Sequence, residues 1–286
     1  MRKRFTNLAA WLQKRRTLVI GVWFLLSMVV FAPFLIPLLD SDSLADSHRS
    51  FYVRADQDKG VIIFVHGVLG NAKSTWTHDS TRSFWPDLLK KDPKFNGFNI
   101  YVYGFPSPLV GRSYSVDELA DNMKLVLGQA DVLAHKELIF LSHSMGGLIT
   151  RALLLKYRDF LPKVSYLYFF STPTTGSEMA NVAHLVSRNP QFRNMFPMGD
   201  NTYMESLQSS WLAARIRVRS YCAYEKLETY GFDVVTRQSA TNLCTEALTP
   251  LLRDHVSIVK PDGPTDLPYV AFAAAFDESR QQPAVR

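Results

Sequence analysis

Apolar positions along the chain fall into three kinds of run. The first is continuous: residues 17–39 (TLVIGVWFLLSMVVFAPFLIPLL) contain no charged side chain. The second is short and β-branched or aromatic, as in Val61–Val65, Asn99–Tyr103, Leu138–Leu141, Val164–Phe170 and Ile216–Ala223. Runs of this length without polar alternation are expected of strands buried on both faces of a parallel sheet. A further strand is expected near Asp233–Thr236. The third kind has helical spacing. Leu119, Met123 and Leu127 share one face of Val116–Leu127, with Ser115 placed to cap its N-terminus. Helices are also expected over residues 82–91, Met145–Tyr157 and 267–278. Residues 177–214 read as mainly helical with irregular breaks. Strands alternating with helices predict right-handed βαβ units, hence an α/β fold with a mostly parallel sheet covered by helices on both faces.

At 1.5 Å per residue the 17–39 run would span ~34 Å as a helix, enough for a hydrocarbon core of roughly 30 Å. Charge sharpens that reading. The chain carries 32 Lys and Arg against 26 Asp and Glu, a formal net charge of +6. Six of those bases lie in residues 1–16, which hold no acid, so residues 17–286 balance 26 bases with 26 acids. A neutral body excludes a broad basic footprint for nucleic acid. The excess reads instead as a topology signal. It predicts a basic cytoplasmic tail (1–16), a single-pass anchor (17–39), a polar tether (40–58) and a folded domain (59–286) on the outer, periplasmic side. A cleaved signal peptide is the competing reading, with Ser43-Leu44-Ala45 as the cleavage site. The apolar run is longer than the roughly 7–15 residues usual for such a segment.

The segment Leu138–Leu148 (LIFLSHSMGGL) carries the chemistry. It sets Ser144 between a buried strand and a helix, with small residues two positions to either side, Ser142 and Gly146. A sharp strand–turn–helix elbow requires those small residues, because the nucleophile's backbone crowds its neighbours. The helix N-terminus there favours developing negative charge. A second segment, Val61–Gly70, runs a strand into His66-Gly67-Val68. The N–H groups of Val68 and Met145 are the expected oxyanion donors. His66 is expected to be a structural hydrogen-bonder.

Chain order in such a site is Ser, acid, His. Five of the seven histidines precede Ser144. His143 is expected to point away from its neighbour, and His184 precedes the strand that should carry the acid. His255 remains as the base. Glu225, just beyond the Ile216–Ala223 strand, is favoured as the acid, with Asp233 the alternative; Asp254 is too close to His255 in sequence for the side chains to face each other. No His/Cys cluster with metal spacing and no Gly-rich phosphate loop occurs, so neither metal nor cofactor is expected. Cys222 and Cys244 are the only cysteines. In an oxidising compartment they would tie the acid-bearing strand to the segment before His255; two free thiols are the alternative, since spacing does not fix their separation.

In order, VIIFVHGVLGNAKSTW, FWPDLL, LSHSMGGLITRALL, FFSTPTTGS, YCAYEKLETYGFDVVTRQSA and RDHVSIVKP resemble the lipase-like serine esterases of the α/β-hydrolase superfamily, the "serine active site containing" group. The resemblance covers about residues 60–278. It implies an α/β-hydrolase fold with Ser144 as nucleophile, His255 as base and Glu225 as acid. It does not fix a substrate. The expected function is a membrane-anchored hydrolase of carboxylic, lipid or acyl, esters. A lipid or cell-envelope acyltransferase with the same triad and a non-catalytic envelope scaffold are the alternatives. Residues 177–214, which include Met179, Met195, Met198, Phe192, Phe196 and Trp211, are expected either to cap an acyl-binding site or simply to cover the sheet.

Overall fold

A computed structural model describes residues 48–109, 111–177, 180, 187–197 and 202–281. The chain divides into two units, Met1–Asp46 and Ser47–Arg286. The first unit, with the basic tail and the 17–39 span, lies outside the described residues. Among the described residues no helix is long and apolar enough to cross a membrane.

One seven-stranded sheet organises the second unit. Its strands are β1 (Phe51–Arg54), β2 (Gly60–Val65), β3 (Phe98–Tyr103), β4 (Leu138–His143), β5 (Val164–Phe170), β6 (Arg219–Glu225) and β7 (Leu248–Leu251), in the spatial order β1-β3-β2-β4-β5-β6-β7. All neighbours pair in parallel except β1 with β3. Among the described residues the sheet is flanked by helices α1 (Trp85–Lys91), α2 (Val116–Gln129), α3 (Met145–Lys156), α4 (Pro190–Asn194), α5 (Thr202–Ala213), α6 (Arg237–Thr241) and α7 (Leu267–Gln281).

Strand period two sorts the core into two layers. Val61, Ile63 and Val65 face α2, α3 and α5, whose Leu119, Met123, Leu148, Leu207 and Trp211 join the same cluster. Ile62 and Phe64 face the other layer, built from Trp85 and Leu89 of α1 and Phe272 and Phe276 of α7. Strands β2, β3 and β4 are therefore buried at every position, as the continuous runs require. Ser115 caps α2 in a complete capping box with Glu118. Buried Arg151 of α3 lies between the rings of Phe169 (4.5 Å) and Trp211 (5.6 Å) and donates to Thr174 Oγ1 at 2.6 Å. Ring faces and the hydroxyl offset part of the cost of burying that charge. Burial still pulls its pKa down to about 9.

Three expectations change. The stretch assigned to the tether contains β1: Phe51 and Tyr52 pair with Val102 and Tyr101, so the folded unit begins before residue 59. β1 is a half-buried edge strand, too short and too polar in its surroundings to register as an apolar run. No strand forms at Asp233–Thr236; Val235 N–H is taken by the Glu225 side chain, and Thr236 caps α6. The last strand is instead Leu248–Leu251, which pairs with the end of β6. Finally, β6 starts at Arg219, and Glu225 is its last residue. Of the 177–214 stretch, Phe192, Met195, Met204, Leu207 and Trp211 pack into the α2–α3 core layer; Met179 and Met198 lie outside the described residues.

Candidate active site

At the carboxyl end of β4 the chain reverses through Ser144, whose φ of 52° and ψ of −127° no ordinary residue adopts without strain. Close packing enforces the turn. A Cβ on Gly146 would overlap the carbonyl oxygens of Val65 and His66, and one on Gly147 would meet Thr172 and Phe169. Ser142 fills the other small position and pairs its hydroxyl with Thr150 Oγ1 at 2.9 Å. Ser144 N–H donates to Phe170 O at 2.9 Å, which locks the elbow to β5.

Ser144, His255 and Glu225 come together from three segments. His255 Nε2 lies 3.0 Å from Ser144 Oγ, and His255 Nδ1 lies 3.0 Å from Glu225 Oε1. Nδ1–H donates to the carboxylate, which leaves Nε2 to accept the serine proton; the tautomer follows from those partners. Glu225 Oε1 also accepts Val235 N–H at 3.1 Å. All three residues are buried, Ser144 to 3% exposure. Asp233 is exposed and is not in this chain of hydrogen bonds. Asp254 turns to its own loop, where its carboxylate accepts from Val256 N–H and Ser257 N–H at 2.9 and 2.8 Å.

Of the oxyanion candidates, Met145 follows Ser144 in the chain and Val68 follows Gly67, which packs on Ser144. Among the described residues, neither Val68 N–H nor Met145 N–H has an acceptor. Gly67 makes the approach feasible: a Cβ there would sit 2.7 Å from Ser144 Cβ and 3.3 Å from Oγ, where a substrate oxygen must pass. His66 is a structural group. Its Nδ1–H donates to Gly67 O at 2.9 Å, its Nε2 accepts from Phe105 N–H at 3.2 Å, and its ring stacks on Phe105. Burial lowers its pKa to about 4, so it is neutral near pH 7.

Two contacts were not legible in the residue pattern. Thr229 Oγ1 accepts His255 N–H at 2.9 Å. His143, expected to point away, donates from Nε2 to His255 O at 2.9 Å, with its ring 4.9 Å from that of His255. The hydrogen bond of His143 goes to the His255 loop and not to Ser144. Burial, and secondarily the His255 charge, hold His143 well below the ordinary histidine range. His255 is thus gripped at its ring, its N–H and its carbonyl. A disulfide between Cys222 and Cys244, with Cα atoms 6.1 Å apart, ties β6 to the chain entering β7.

No protein-family model matches the sequence, and no curated protein does either. Solved structures do match. The mature lipase BlEst2 of Bacillus licheniformis superposes with a TM-score of 0.59 at 18% identity, over 80% of this chain and 98% of that one. Phospholipase PlaB of Legionella pneumophila gives 0.60 at 17% identity over 80% of this chain, which spans 62% of PlaB. A monoacylglycerol lipase of Paleococcus ferrophilus gives 0.51 at 15%, over 82% and 99%. At such identities the likeness defines the fold, that of the α/β hydrolases.

Proposed function

We propose that this protein hydrolyses carboxylic esters of lipids or acyl groups through an acyl-enzyme on Ser144. One observation carries the reading: the continuous Ser144–His255–Glu225 chain of two 3.0 Å hydrogen bonds at a strained elbow. His255 Nε2 takes the hydroxyl proton as Oγ attacks the ester carbonyl. Glu225 stabilises the imidazolium. Val68 and Met145 N–H groups receive the oxyanion, and His255 returns the proton to the departing alcohol. Water then repeats the sequence on the acyl-enzyme, releasing the acid and free Ser144. A removed oxyanion donor typically costs about 10²–10³ in rate. Lipase, phospholipase and monoacylglycerol lipase activities named for the structural relatives support lipid esters as the substrate class.

Residues 17–39 hold the domain at the outer face of a membrane, with 1–16 on the cytoplasmic side. Because His48 and Ser50 already bond Phe105 and Gly104, the spacer between anchor and fold shortens to residues 40–47. Ser144→Ala is the direct test. It should abolish fluorophosphonate labelling and lower ester turnover by about 10⁴-fold or more. Unchanged labelling and turnover would overturn the assignment.

A further inference from the structure

Beyond the triad, the carboxyl edge of the sheet carries exposed apolar side chains that the reaction does not use. Directly after Glu225, residues 226–233 run out and back through a tight turn closed at Thr229 and Phe232. Thr229 and Phe232 exchange backbone hydrogen bonds of 2.9 and 3.2 Å, and Tyr230 and Gly231 between them both have positive φ, the signature of a type I′ turn. The hairpin is fastened to the histidine loop: Lys226 N–H donates to Leu251 O and Arg253 O, and Leu227 N–H to Arg253 O. Across these two joined loops Leu227, Tyr230, Phe232, Leu252 and Val256 are exposed, Phe232 to 57% and Leu252 to 65%. Singly exposed apolar side chains are ordinary; five on two hydrogen-bonded loops beside a buried active site form a patch that calls for an occupant.

Topology says which. β1 alone runs antiparallel, so the chain enters the fold at the carboxyl edge of the sheet. Phe51 pairs with Val102 near the end of β3, His48 Nδ1 donates to Phe105 O, and Ser50 Oγ accepts Gly104 N–H. Ser144, His255 and the hairpin lie on that same edge. Five inter-strand steps separate β1 from β6, about 24 Å at about 4.8 Å per step. Only residues 40–47 intervene between the apolar run and His48. Extended, they reach about 28 Å. Residues 40–47 are therefore long enough for a bilayer holding residues 17–39 to meet the edge that displays the patch. We propose that Leu227, Phe232 and Leu252, with their neighbours, dock this edge on the lipid surface and present the Ser144 site to ester bonds in the same membrane. The inference rests on the proposed anchor and deepens the proposed substrate class. Insertion, not charge, drives the contact: over 226–237 Lys226 and Arg237 balance Glu228 and Asp233. Neutral lipid should suffice.

The test uses the full chain in phosphatidylcholine liposomes. Both native cysteines are paired, so a single thiol from Phe232→Cys takes a nitrobenzoxadiazole probe. Shallow doxyl-labelled lipid should quench it at least twofold more than the same probe on Leu125→Cys, exposed on α2. Equal quenching overturns the proposal. So does oxidation of the introduced thiols of Phe232→Cys into linked dimers, which would put a second copy on the patch. As a second variant, Leu227→Ser/Phe232→Ser/Leu252→Ser should lower turnover of an ester embedded in the liposome about tenfold and leave a soluble short-chain ester within twofold. Unchanged turnover of the embedded ester also overturns it. If the parent chain turns over neither ester, the hydrolase reading fails, and quenching alone still decides the docking.

Discussion

The elbow around Ser144 and the loops around His255 build one site by opposite means. Around the elbow, order comes from crowding. Val65, His66, Gly67, Ser144 and Gly146 fit together with no room for an added methyl group, and β2 and β4 beside them are buried at every position. The Glu225–His255 side is assembled from separated pieces: the end of β6, the 226–236 stretch and the turn after β7, joined by backbone bonds, the Thr229 hydroxyl and the Cys222–Cys244 bridge. Crowding fixes geometry locally. Cross-links fix it over distance while leaving side chains at the surface. Catalysis needs both, since a serine held to a fraction of an ångström is useless without a base held equally well.

The two sides should therefore fail differently. Glu225→Gln keeps the shape of the side chain and removes the charge that orients and stabilises the imidazolium. It should lower kcat by about 10³–10⁴ with the fold intact. Asp233→Asn, two residues before the Val235 N–H that Glu225 holds, should stay within about twofold of the parent. Steady-state kinetics of the two variants with one ester would settle which acid acts. The reverse ranking would move the catalytic acid onto the exposed 226–236 stretch and break the account of that side as a cross-linked support.

Glycines give the next largest contrast, and they read stability in place of rate. Gly146→Ala drives a Cβ into the backbone carbonyls of Val65 and His66, which have no freedom to yield. It should cost about 3 kcal/mol. Gly231, at the hairpin tip with φ of 81°, has nothing within 4 Å of an added Cβ. Gly231→Ala meets only backbone strain, about 1 kcal/mol. Urea midpoints of both variants compare crowding with strain directly. Equal losses would mean that the elbow relaxes as freely as a surface turn.

The same division explains what the sequence could disclose. The elbow is legible because its requirements are local: a buried strand, a small–x–Ser–x–small turn and a helix start lie within Leu138–Leu148, and the fold carries them there. The apolar runs of β2 to β5 and the Ser115 cap are legible for the same reason. Glu225 and His255 could be found by chain order, but not their distance of 3.0 Å, because proximity across 30 residues depends on β6 and β7 pairing. β7 itself, LTPL, is mostly exposed and contains a proline, so it lacks the apolar run of an interior strand. β1 was missed on the same ground. Thr229 had no signal at all: a threonine in a polar loop gains its role only once the hairpin folds back on the histidine turn. His143 bonds the His255 loop and not its neighbour Ser144, and that distant partner had no signal in the sequence.

Acid should expose the smallest of these differences. His66 and His143 are both buried against the elbow, and burial lowers the pKa of each. For His66 the folded value is about 4, against about 6.5 for an unfolded histidine. The unfolded chain therefore takes up the proton first as pH falls. The stability contributed by neutral His66 is complete above pH 6.5, declines between about 6.5 and 4, and changes no further below. At pH 5 the loss from this residue is about 2 kcal/mol, and His143 adds a loss of the same sign. His66→Asn keeps an N–H for Gly67 O and removes the titration. Its urea midpoint should lie below the parent's at pH 7.5, yet the drop in its stability from pH 7.5 to pH 5 should be smaller by about 2 kcal/mol. An unchanged drop would mean that the elbow does not owe its acid sensitivity to excluding charge from His66.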